Sequence, residues 1–251
     1  MTAGYIPVSP RWLALREPAD AAARAVDLVR ALPARDRWVI HDLACGTGSM
    51  GRWLAPLLPG PQHWVLHDRD ADLLEVAAAN PPAGATVEVR QSDITRLDAD
   101  DLAGASLVTA SALLDLLTEE ELAALVSLCA VCPTLLTLSV TGNVRLTPPD
   151  PLDARVADAF DDHQRRGGLL GPDGVARAAD RFRALGADVH VRPSPWRLGA
   201  EHAGLTAEWL EGWLDAAREQ DPELVDETRA YSERRLTAVT VGHADLLALP
   251  R

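Results

Sequence analysis

Apolar residues recur along this chain in two alternating rhythms. From Arg16 to Leu32, in REPADAAARAVDLVRAL, Ala, Val and Leu fall at helical spacing, with Pro18 accommodated in a first turn and Pro33 ending the run. RWVIHDLA then gathers Trp38, Val39, Ile40 and Leu43 into a short apolar run that stops at a glycine loop, the pattern of a buried parallel strand. Helical spacing resumes in SMGRWLAPLL, a second strand spans His63 to Asp68, ADLLEVAAAN is a second helix, and Val87 and Val89 alternate in a third strand. ASLVTAS is a fourth strand, TEEELAALVSLCAVC a helix capped by Thr118, and TLLTLSV a fifth strand. Five strands separated by helices predict an α/β fold with a parallel, doubly wound sheet, because right-handed crossovers leave few alternatives.

The proline-rich RLTPPDP, Arg145 to Pro151, marks a change of character. Two helices follow, in LDARVADAFDDHQRR and GPDGVARAADRFRALG, then a sixth strand in ADVHVRPSPWRL. A long helical stretch from Thr206 to about Leu236 precedes a seventh strand, AVTVGHADLLAL. Strands six and seven stand about 40 residues apart, a connection long enough to carry specificity. At 251 residues the chain reads as one domain, 1–251, with a leading helical segment (1–34), a ligand-binding half (35–141) and a substrate-side half (142–251).

Composition narrows the partners. Net charge is −13, from 24 basic and 37 acidic residues, so a phosphate backbone meets a repulsive surface and nucleic acid is excluded. Nothing approaches ~18 uncharged apolar residues, and the N-terminus has no basic segment followed by an apolar one, which points to a cytoplasmic protein without a membrane partner. Cys45, Cys129 and Cys132 cannot all pair, so no disulfide framework is expected.

The chemistry concentrates in HDLACGTGSMG, His41 to Gly51. Gly46, Gly48 and Gly51 match the spacing G-x-G-x-x-G, in which glycines let backbone approach a ligand and turn into a helix whose amides face it. Nicotinamide, flavin and S-adenosylmethionine binders share that much. Asp42 ends the first strand inside the loop, where a carboxylate suits a ligand ammonium and repels a pyrophosphate. Asp68 ends the second strand, placed to accept from a ribose diol, and Asp93 ends the third, placed to accept from an adenine amine.

DLACGTGSMGRWLAPLL, VLHDRDADLLEVA, VRQSDITRL and LVTASALLDLLTEEEL, in this order, resemble motifs I to IV of the class I S-adenosylmethionine-dependent methyltransferases. The resemblance covers Trp38 to Val140 closely and the last two strands more loosely. It implies a seven-stranded, mostly parallel sheet of order 3-2-1-4-5-7-6 with an antiparallel last strand, helices on both faces, and helical insertions after strand five and between strands six and seven. By position it gives Asp42, Ala44, Cys45, Gly46 and Gly48 to the methionine portion of the cofactor. Asp68 takes the ribose, Arg69 flanks the adenine, Asp93 and Ile94 hold its edge, and Ser111 lies by the reacting methyl. Arg16 is the candidate for the methionine carboxylate. Ala44 departs from the more common glycine.

The implied activity is in-line methyl transfer to a small-molecule acceptor, with oxygen the commonest acceptor atom in the family and nitrogen and carbon open. A non-catalytic S-adenosylmethionine-binding regulator and a protein methyltransferase are the alternatives. Candidates for a proton-accepting group are Asp115, at a position often His in relatives, and His163, in the region where relatives build a substrate lid. Arg165 and Arg166 beside it suggest an acceptor bearing a carboxylate or phosphate. Cys129 and Cys132 read as small buried residues, and Trp209 and Trp213, four apart, as one helix face in the core.

Overall fold

The computed structural model describes residues 8–251; the first seven residues of the leading segment lie outside the described residues. Helix α1 (Pro10–Ala23) begins earlier than the helical spacing predicts, because Ser9 accepts a hydrogen bond from the Trp12 amide at 3.1 Å and Pro10 needs no partner in a first turn. Pro18 therefore sits inside the helix. The chain breaks at Arg24 and Ala25 before α2 (Val26–Arg30).

The next elements are β1 (Trp38–Leu43), α3 (Ser49–Leu54), β2 (Gln62–Asp68), α4 (Ala71–Ala79), β3 (Thr86–Gln91) and β4 (Leu107–Ser111). They are followed by α5 (Glu119–Cys129), β5 (Thr134–Thr147), α6 (Asp153–Gln164), α7 (Gly174–Ala184), β6 (Asp188–Pro193) and β7 (Trp196–Leu198). Helices α8 (Ala203–Gln220) and α9 (Leu224–Ser232) precede the last strand, β8 (Ala238–Leu249).

The strands form one sheet of order β3-β2-β1-β4-β5-β8-β6, with β7 pairing on β8. Strands β1 to β5 run parallel and β8 is antiparallel to β5, β6 and β7. The last strand thus lies between the fifth and sixth, as expected. The expected sixth strand is broken in two at Ser194 and Pro195, which adds an eighth strand. Pro195 has no N–H for a ladder, and the Ser194 hydroxyl turns inward to donate to Asp245 at 2.5 Å. The long helical stretch is likewise divided, at Asp221 and Pro222. Between β3 and β4 no α-helix forms; a single 3-10 turn, Ile94–Arg96, and further turns make the crossover.

Apolar side chains fill both sheet faces. Trp38, Ile40, Trp64 and Leu66 pack under α3 and α4, and Leu43, Val108, Leu136 and Leu246 under α5 and α7. Beyond the carboxyl ends of its parallel neighbours β5 continues, paired with the first half of β8. A third cluster forms on this extension, with Trp196, Leu198, Leu205, Trp213 and Tyr231 brought by β7, α8 and α9.

Candidate functional site

Three neighbouring strands carry a non-glycine residue in the left-handed region: Ala44 (φ 51°) just after β1, Ala112 (φ 53°) just after β4 and Leu138 (φ 56°) at an irregularity within β5. Such backbone costs roughly 1–2 kcal/mol per residue and persists where the surroundings over-determine it. The turns at Ala44 and Ala112 border a cleft at the carboxyl edge of the sheet, at the switch point where strand order reverses. Its walls are Asp42, Ala44, Cys45, Gly46, Thr47, Ser49 and Ser111, and α1 lies across it through Leu13, Arg16 and Asp20.

Asp42 is fully buried. One carboxylate oxygen accepts from the Thr109 hydroxyl at 2.7 Å, and the other is enclosed without a partner. Burial pushes this carboxyl up to about 7 against the opposing effects of the Thr109 bond and the Arg24 charge. Asp68 accepts from the Gly46 amide at 2.8 Å and the Asp70 amide at 3.0 Å, so it also fixes the glycine loop. Gly46 and Gly48 both have positive φ, and a Cβ at Gly46 would come within 3.2 Å of Leu13. Cys45 donates its amide to the His67 carbonyl, and its thiol is pushed up by burial. Asp93 caps the Ile94–Arg96 turn, accepting from the Thr95 amide at 3.0 Å and hydroxyl at 2.7 Å; these bonds hold its carboxyl below the usual range. Ile94 is half-buried, and Arg69 follows Asp68 on the exposed rim.

Ser111 is at the tip of β4, where its hydroxyl accepts from Thr137 at 3.1 Å and from the guanidinium of Arg24 at 3.1 Å. Arg24, with no role expected from sequence, is 3% exposed. It also reaches Ser49 at 3.4 Å and stacks over Trp53, while its Nε and Nη1 are enclosed without partners. Its burial comes from a distant contact: Asp245 on β8 accepts from the Ala25 amide at 2.8 Å and draws the end of α1 inward. Arg16 borders the cleft as expected, but its guanidinium is engaged by Asp20 at 2.9 Å and lies over Trp196.

Asp115 is in the turn Leu114–Leu116 after β4, packed against α7, where a Cβ on Gly174 would come within 2.8 Å of the Leu114 carbonyl. Its Oδ1 is enclosed without a partner; burial pushes the carboxyl up, and Arg16 opposes this. His163 points elsewhere. Its Nε2 is 3.2 Å from Glu219 on α8, and Arg166 pairs with the same carboxylate, so both fasten α6 to α8 instead of facing the cleft. Arg165 pairs with Asp162 and Asp173. The two arginines are already neutralised, which removes the reason for expecting an anionic acceptor.

Trp209 and Trp213 stack at 5.3 Å beneath α8, and Cys129 and Cys132 are buried at the end of α5, as expected for packing residues. As it stands the cleft encloses about 50 Å³, whereas a cavity of about 490 Å³ between α8, α9 and β8 shares no residue with it.

The arrangement offers an enclosed carboxylate oxygen and an enclosed guanidinium edge at one strand edge, a complementary pair for an α-ammonium and an α-carboxylate. Residues 40–132 match a sequence family described as a methyltransferase domain. No curated protein matches the chain. Among solved structures, the fold is similar to the cyclopropane synthase MmaA2 from Mycobacterium tuberculosis, with a TM-score of 0.55 at 14% identity over 96% of this chain and 94% of that one. It is also similar to magnesium protoporphyrin IX methyltransferase from Synechocystis PCC 6803 with bound S-adenosylhomocysteine, at 0.52 and 14%, over 98% and 90%. The YcgJ protein of Bacillus subtilis gives 0.53 at 12%, over 90% and 97%. Residues 40–132 thus match a methyltransferase domain, and the sheet order around them is close to the one that the resemblance to class I S-adenosylmethionine-dependent methyltransferases implies.

Proposed function

We propose that the protein transfers a methyl group from S-adenosylmethionine to a small-molecule acceptor. The observation that carries this reading is the pair of buried, incompletely bonded ions, Asp42 and Arg24. A lone buried charge is costly, and two of opposite sign that do not bond each other suit a zwitterionic guest. Asp42 takes the ammonium, Arg24 with Ser111 takes the carboxylate, Asp68 the ribose diol and Asp93 with Ile94 the adenine edge. When bound, the cofactor supplies a sulfonium methyl open to in-line attack.

The chain's own contribution is mainly positioning. Helix α1 excludes water from above, and Asp115, next along from the tip of β4, accepts the hydrogen bond or proton of the attacking group. The cover of α1 over the cleft, through Leu13, Arg16 and Asp20, favours a small acceptor over a protein chain. Incubation of the pure protein with S-adenosylmethionine and panels of hydroxyl, amine and acidic-carbon acceptors tests the reading. Acceptor-dependent release of S-adenosylhomocysteine is expected. Tight cofactor binding with no release on any panel would favour a non-catalytic binding protein.

A further inference from the structure

The three acids at the ends of β1, β2 and β3 share a feature that the methyl-transfer reading leaves unused. Each directly follows a polar residue: His41 before Asp42, His67 before Asp68, Ser92 before Asp93. Strand alternation turns His41 and His67 to the opposite face of the sheet from Asp42 and Asp68. There the three polar side chains meet. His41 Nδ1 is 3.0 Å from His67 Nε2, the two rings stack at 5.2 Å, and His67 Nδ1 is 3.1 Å from the Ser92 hydroxyl.

Both rings are almost wholly buried, His41 at 2% and His67 at 0% exposed, on a face that the β3–β4 crossover covers with turns. Apolar residues would fill this space at lower cost. A neutral imidazole donates from one nitrogen and accepts at the other, so the links can all run in one direction, from His41 through His67 to Ser92, whose hydroxyl donates on to the Arg90 carbonyl at 3.4 Å. The same strand tips are also tied through backbone: the Ser92 amide donates to the Asp68 carbonyl at 2.8 Å, and the Cys45 amide to the His67 carbonyl at 2.9 Å.

We infer that the His41–His67–Ser92 hydrogen-bonded chain is a positioning device that holds Asp42, Asp68 and Asp93 at a common spacing for the cofactor. This rests on the reading of the cleft as an S-adenosylmethionine site. None of the three residues touches the cofactor; they act through the strand tips, where displacements of a fraction of an ångström change how well a rigid guest is matched.

Calorimetric titration with S-adenosylhomocysteine, beside thermal melts, tests the inference on Ser92→Ala, Ser92→Thr and His41→Gln. Ser106→Ala is the control, since the Ser106 hydroxyl bonds the Val39 amide at 2.8 Å and carbonyl at 3.0 Å at the other end of β1. Ser92→Ala and His41→Gln are expected to bind roughly 5–20-fold more weakly, and Ser92→Thr to restore affinity. Ser106→Ala is expected to lower the melting temperature without changing affinity. In the wild type, the imidazole nitrogen resonances of His41 and His67 shift on saturation with S-adenosylhomocysteine. Unchanged affinity in both His41→Gln and whichever Ser92 variants fold, or resonances that stay put while the ligand binds, overturns the positioning role alone. A wild type that does not bind S-adenosylhomocysteine overturns the cleft reading as well.

Discussion

Arg24 and Asp42 are buried ions of opposite sign that feel each other's charge yet form no bond: Arg24 donates to Ser111 and Ser49, Asp42 accepts from Thr109, and each keeps polar atoms unpaired. Replacing either should weaken S-adenosylhomocysteine binding by about 2–3 kcal/mol, the cost of losing a charge-assisted hydrogen bond in a closed site. Arg24→Met and Asp42→Asn measured by calorimetry should both show the loss. Arg16→Met should show much less, since Asp20 already holds that guanidinium.

Acidity should separate the same two effects. The folded-state pKa of Asp42 is raised to about 7, so the fold favours its protonated form and stability is lost as the pH rises from the unfolded carboxylate value near 4 through about 7. The ionised form binds an ammonium, so cofactor affinity should rise with pH up to about 7 and fall by nearly tenfold per unit below it. Asp42→Asn should flatten this profile and raise the melting temperature of the cofactor-free protein at pH 8. A wild-type binding profile flat between pH 5.5 and 8 would contradict the assignment.

Global stability should follow the opposite trend in acid. Burial lowers His41 and His67 to about 4 and His243 to about 3, below the unfolded value near 6.5. Their contribution is intact above pH 6.5 and lost as the pH falls towards 4, where the unfolded state binds more protons. Around the first two rings, Arg90 opposes protonation while Glu88 and Asp101 favour it, so the loss should be steep but not immediate. Denaturant midpoints between pH 4 and 7 measure it, and His67→Gln should reduce the slope.

The left-handed turns predict an asymmetric mutational response. Ala44→Gly and Ala112→Gly relieve backbone strain and should each stabilise the protein by up to about 1 kcal/mol. Leu138→Gly relieves the same strain but empties a fully buried position, and should destabilise by about 2–4 kcal/mol. Equilibrium unfolding distinguishes the two signs.

On the acceptor side, Asp115→Asn should lower turnover by about 10²-fold or more with cofactor affinity unchanged. His163→Ala should leave turnover within about twofold, because its exposed pairing with Glu219 contributes little. Steady-state rates with any acceptor that supports release of S-adenosylhomocysteine provide the comparison.

What could be read without the structure was what is local. Asp42, Gly46 and Gly48 lie within one strand and its loop, and Asp68 ends the next strand, which pairs with the first in parallel register, so their spacing carries their geometry. Arg24 acts through Asp245, 220 residues beyond Ala25, and no local pattern signals that contact. The paired HD dipeptides were visible, but only the register of β1 against β2 shows that the two imidazoles meet. His163 and the arginines near it lie in a segment whose composition suits a lid, yet Glu219 and Asp173 claim them across the fold. The start of α1 escaped because Trp12, Leu13 and Leu15 are only partly buried, leaving a faint periodic signal.

Helix α1 belongs to two compartments at once. Leu13 and Arg16 roof the cleft, while Asp20 accepts from the Trp196 indole at 2.9 Å and Trp12 packs edge-on against the same ring. Whatever lifts the roof must therefore loosen Trp196 on β7, and whatever braces Trp196 must hold the roof down. The roof and that ring are thus mechanically one piece, and any free energy by which a guest under the roof loosens Trp196 must return, equal in size, as an effect of Trp196 packing on the guest.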